Sequence, residues 1–194
     1  MRRLVSGPLL LAIVVLGGLF GPASVAAAAP KPPREVVTFV SRAELIKKGL
    51  LKPVATTTDV STQALCLFDC IHVRNKRYLR TVKPLVTTVA GNGPMTISID
   101  ITRTVRNSFS ATVGVSAQAV TIGVGFNVER AESVTYRSST TVPNGACWTL
   151  RAYNVFYEYS FEVWQEPFIG SDFKIGSGTA RDFQGIEFRL TKAC

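Results

Sequence analysis

Histidine is almost absent from this 194-residue chain; His72 is the one copy. Any Ser-His or Cys-His nucleophile would therefore have to use it. No G-x-S-x-G elbow and no glycine-rich phosphate loop occurs. Gly176-Ser177-Gly178 lacks a strand-to-helix context and reads as a turn. Glu158, Glu162 and Glu166 have the residue type of a glycosidase pair, but their spacing on a strand places them on its solvent face. Cys66-Leu-Phe-Asp-Cys70-Ile-His72 offers three metal-ligand types, yet no second cluster completes a structural zinc site. Heptads, solenoid repeats and apolar runs beyond the N-terminal one are also missing. These absences point to a non-enzymatic protein with no cofactor.

Acids are scarce as well: 13 Asp and Glu stand against 22 Lys and Arg, a net charge of +9. The excess is local. Residues 30–83 hold eleven bases and four acids, whereas 84–194 hold nine of each. Such asymmetry points to an anionic partner, a target membrane or an envelope polymer. The densest run is Arg74, Lys76, Arg77, Arg80 and Lys83, with Tyr78 among them. It reads as an edge strand guarded by charge.

Residues 1–28 read as a signal peptide: Arg2-Arg3, an apolar stretch from Leu9 to Phe20, then small residues from Ala23 to Ala29. Export argues against a nucleic-acid partner. It also makes Cys66, Cys70, Cys147 and Cys194 disulfide candidates, with three connectivities open; bridges from Cys66 and Cys70 to the two distant cysteines would staple the basic segment to a sheet. The expected product is one secreted, mainly β domain over 29–194. It comprises a basic segment at 29–94 with one short helix, a long-stranded antiparallel sheet at 95–164, and C-terminal strands at 165–194. The helix is predicted over Arg42–Lys48, with Ser41 as N-cap and Gly49 as its left-handed stop.

The longest uncharged stretch, Asn107–Val128, alternates apolar and polar residues and changes phase near Ala117-Gln118. A period of two predicts half-buried strands. Folded back at that point, the arms pair Arg106 with Glu129, Arg103 with Glu132, Ile99 with Tyr136 and Phe109 with Phe126. The apolar side of this long hairpin carries Phe109, Ala111, Val113, Val115, Val120, Ile122, Val124 and Phe126; Ser108 lies on the polar side. The third arm, Cys147–Trp164, is expected to pair with the second. The architecture predicted is an elongated antiparallel sheet or sandwich.

Ser/Thr-rich alternating arms followed by TYRSSTTVPNGACWTLRAYNVFYEYSFEVW resemble the stalk module of aerolysin/ETX-MTX2-type β-pore-forming proteins over about Thr96–Trp164. The resemblance implies a protein that forms a homo-oligomer on a membrane and inserts the 107–128 hairpin. The alternative expectation is a non-enzymatic secreted protein that binds the cell envelope or another anionic surface.

Overall fold

The computed structural model describes residues 34–54 and 70–193. The segment 1–28, expected to be a signal peptide, and Cys66 and Cys194 lie outside the described residues. The mainly β class expected from the sequence is the class observed.

Two strands form the spine: β8 (Cys147–Glu166) and β9 (Phe173–Thr191), antiparallel from Thr149↔Thr191 to Gln165↔Phe173. Each outer edge is shared by two strands. Beside β9 lie β1 (Glu35–Ser41), on Gly185–Thr191, and β6 (Ser108–Ala111), on Gly178–Arg181. Beside β8 lie β4 (Leu85–Asn92), on Cys147–Tyr153, and β3 (Cys70–Val82), on Phe156–Glu166. A second sheet has the order β2 (Leu51–Pro53), β7 (Ala131–Val142), β5 (Met95–Arg106).

Side chains on a strand point alternately to the two sides. On β8, Leu150, Ala152 and Phe156 face the second sheet and join Ile97, Ile99, Val134 and Tyr136 in one core. Phe161 and Val163, of the other parity, join Val120 and Val124 of the helix α2 (Ala117–Val124) in another. The two cores thus sit on opposite faces of one long sheet, each toward a different end. Beyond the first core, the same face of β8 carries Glu158, Ser160 and Glu162.

The short helix forms as its caps require. In α1 (Arg42–Lys47) the Ser41 hydroxyl accepts from the Glu44 N–H at 3.2 Å, Gly49 has φ +68°, and the Leu50 N–H bonds back to the Leu45 carbonyl. Leu45 is fully buried in the first core.

The predicted hairpin is corrected. Its basal arms do pair, as β5 with β7, but two residues out of the expected register. Arg103 faces Val134, Arg106 faces Ala131, Ile99 faces Ser138 and Val105 faces Glu132. A shift of two preserves the alternation, so the apolar faces still coincide and Ile101 meets Tyr136. The charges decide between registers: Glu132 is buried and held by Arg42, so it is not available to Arg103. Glu129 lies outside both strands and its N–H donates to the Asn127 side chain.

The distal half is not a hairpin. After β5 the chain changes sheets at Asn107, pairs with β9 as β6, and winds into α2. Phe109 faces Ala180 rather than Phe126. Val120 and Val124 are four apart, a spacing that fits a strand's period of two and a helix face alike, so one face of a helix buries both while Ile122 is 60 % exposed. The Ser116 hydroxyl caps the first turn by accepting from Ala119 N–H, and Gly125 closes the last at φ +77°. Gly123 lies against Val73 so closely that a Cβ would come within 2.4 Å of it. That bare glycine lets the helix settle on β3.

Three smaller expectations also change. β8 pairs with β9, β3 and β4, and not with β7, because the Pro143–Gly145 turn carries the chain from one sheet to the other. Gly176-Ser177-Gly178 is interior to β9, where Gly178 yields room to the Phe161 ring; a Cβ there would be 2.3 Å from it. Cys70 pairs with Glu166 at one end of β8 and Cys147 opens the other, so those two cannot be bridged.

Candidate functional site

The basic run of β3 is an edge strand, as its charges predict, but an irregular one. Its pairing with β8 slips between Arg74 and Arg77 and again between Tyr78 and Arg80, and Asn75 takes φ +57°. Each slip adds one residue to β3 alone. Arg74, Arg77 and Arg80, three apart in sequence, thereby fall opposite Glu162, Ser160 and Glu158, two apart on β8. All three point to one face, about 6.8 Å from one to the next. Lys76 and Lys83 go to the other side. Lys76 donates to the Val124 carbonyl and stands 4.3 Å from the Tyr159 ring centroid, and Lys83 reaches Glu187 at 2.6 Å. The five-residue basic cluster is thus split three and two.

The arginine face continues across the sheet. In the row of Arg80 it runs Arg80, Glu158, Arg181, Ser108; in the row of Arg77 it runs Arg77, Ser160, Thr179, Ser110. Glu158 was expected on a solvent face, and its side chain is only 4 % exposed. Two guanidiniums cover it: Arg80 Nε donates at 2.6 Å and Arg181 Nε at 2.8 Å. The Arg181 hydrogen bond holds the carboxyl below its usual range; burial opposes this, and Arg80 reinforces it. Nearer the β8–β9 turn, Arg74 pairs with Asp172 at 2.6 Å and stacks over Trp164. Glu162 accepts from Lys174 there, and with further bonds from Asn75 and Trp164 its carboxyl is pushed down to about 2.

Among the described residues, Arg77 has no charged partner, and no hydrogen bond leaves the Nη groups of Arg80 and Arg181. The face as a whole holds Arg74, Arg77, Arg80, Arg181 and Lys174 against Glu158, Glu162 and Asp172. Its chemistry is donation to anions. His72 is turned to Glu166 at 2.7 Å. Among the described residues no three His, Cys, Asp or Glu side chains converge on one point.

The residues assigned to a membrane hairpin are dispersed. Ser108, Phe109 and Ala111 are on β6, Val120, Ile122 and Val124 on α2, and Val113, Val115 and Phe126 at the rim of the second core. Among the described residues the most exposed large apolar side chains are at the β8–β9 turn, where Phe168 is 72 % and Ile169 is 83 % exposed. Sequence reading found the β3 arginines but not Arg181, which stands 101 residues beyond Arg80; nothing in the sequence marks it as their neighbour. No family model matches the chain, and no curated protein and no solved structure matches it.

Proposed function

We propose that this is a secreted, non-enzymatic protein that binds an anionic polymer or anionic surface of the cell envelope through its arginine face. The observation that carries the reading is the double slip in β3, which lines up Arg74, Arg77 and Arg80. A strand that merely discouraged edge pairing would need charge and a bulge, but not one-sided placement of every third residue. Export of the chain and its disulfides belong to the same proposal. The test is retention on an immobilised polyglycerol-phosphate resin at rising salt. The triple change Arg74→Gln, Arg77→Gln, Arg80→Gln is expected to cut retention at least tenfold with an unchanged circular dichroism spectrum. Equal retention of the two proteins refutes the reading.

A second reading, contact with a target membrane, is favoured by the adjacent exposed side chains of Phe168 and Ile169. Insertion of the 107–128 segment as a β-hairpin has lost the paired arms on which it rested, since that segment is β6 and α2 here. Dye release from liposomes separates the readings. Release that survives Phe168→Ser with Ile169→Ser, together with an oligomer on lipid, would restore the pore-forming alternative.

A further inference from the structure

We propose that the hollow between β6 and β9 is a binding site for a phosphoryl group, held by Arg181 together with the hydroxyls of Ser108, Ser110 and Thr179. The inference rests on the anionic-polymer reading and deepens it by naming a phosphodiester as the anion. The hollow measures about 190 Å³ and is lined by Ser108, Phe109, Ser110, Thr179 and Arg181. Strand pairing puts its polar side chains on one side: Ser108 is opposite Arg181, and Ser110 is opposite Thr179. They form the corners of a patch one strand spacing, about 4.8 Å, by about 6.8 Å along the strand. Three hydroxyl donors and a guanidinium edge within that patch match the several acceptor oxygens of a tetrahedral oxyanion, which a planar carboxylate would use less fully.

The guanidinium is pre-set. Arg181 spends Nε on Glu158 at 2.8 Å, which fixes the plane of the group and leaves Nη1 and Nη2 without a partner among the described residues. Arg80 approaches the same carboxylate from the opposite strand, so the trio carries one net positive charge around an almost fully buried acid. Glu158 is thus a positioning residue: it does not touch the anion but holds both guanidiniums at fixed angles. Arg77, one row on, supplies a second cation about 6.8 Å from Arg80 along the strand. A chain with regularly repeated phosphodiesters can place one group in the hollow and the next along the arginine row.

The test is titration of the purified protein with inorganic phosphate, and separately with a short glycerol-phosphate oligomer, followed by amide NMR shifts. Saturable shifts confined to Ser108–Ala111 and Thr179–Arg181 are expected with both probes, tighter by tenfold or more for the oligomer. Arg181→Gln is expected to weaken both at least tenfold. The paired surface changes Ser110→Ala and Thr179→Val, which leave the sheet intact, are expected to weaken both about threefold. Glu158→Gln separates geometry from charge: it adds a net positive charge, so simple attraction predicts tighter binding, whereas loss of positioning predicts weaker binding. Non-saturating shifts, or shifts unchanged in Arg181→Gln, overturn the site; continued retention on the polymer resin would then leave the broader reading standing. Saturation by phosphate with no gain for the oligomer keeps the site and assigns it to the free ion.

Discussion

The side-chain amide of Asn107 donates to the Asn127 carbonyl at 2.8 Å, closing the base of the excursion that carries β6 and α2. The same amide reaches Asp182, and its oxygen accepts from the Phe183 N–H at 2.8 Å. Asn107 is buried at the point where the chain leaves one sheet for the other. Arg130, beside it, links Asp182 to Glu132, and Arg42 completes the group from α1. Asn107→Ala would take a partner from the Asn127 carbonyl and from Asp182 and leave the buried Phe183 N–H without its acceptor. The expected loss is about 2–4 kcal/mol in urea denaturation. A loss under about 0.5 kcal/mol would show that the junction does not depend on this residue.

Helix and hairpin make opposite statements about Ile122. On a hairpin it is equivalent to Val120 and Val124; on α2 it is exposed while they are buried. Ile122→Lys is therefore expected to change stability by no more than about 0.5 kcal/mol, and Val120→Lys to cost more than about 3 kcal/mol. Equal effects at the two positions would contradict the helix.

Acid should unfold this protein in a defined window. Glu158, Glu162 and Glu187 all have lowered pKa values. At Glu187 burial pushes the carboxyl up, and hydrogen bonds from Lys83 and Arg189 overcome it. A group with a depressed folded-state pKa binds more protons when unfolded. Its contribution is present above the ordinary carboxylate range, about 4.3, and is lost as pH falls through the folded value. The melting temperature is expected to hold steady down to about pH 5 and to decline steadily below it. Because Glu162 lies at about 2, Glu162→Gln should flatten the lowest part of that curve. A profile flat to pH 2 in the unaltered protein would rule out these pairings in solution.

Non-reducing peptide mapping should find Cys70 linked to Cys66 and Cys147 linked to Cys194. Cys70 stands opposite Glu166, whereas Ala193 accepts a hydrogen bond from Thr149, close to Cys147. A Cys70–Cys147 peptide would be incompatible with the length of β8 between them.

Local signals were readable without coordinates wherever neighbours in sequence carried them. The cap and stop of α1, the Pro143–Gly145 turn, the edge character of β3 and the alternation of β5 and β7 all follow from short-range chemistry. Ala117–Val124 resisted such reading because its valines satisfy a period of two and a spacing of four at once. Propensity favours the strand for β-branched residues. The helix prevails because Gly123 can close on Val73 and because Val120 and Val124 gain a core that no hairpin partner would provide.

Composition and order along the chain determined the β class, the basic N-terminal third and the existence of a charged edge strand. Only the tertiary structure decided which side each arginine takes, because the two slips in β3 are defined by its pairing with β8. It likewise decided that Arg80 and Arg181 share one carboxylate. Burying Glu158 requires two cations at once, and that requirement is met by strands far apart in sequence that the sheet brings to either side of β8.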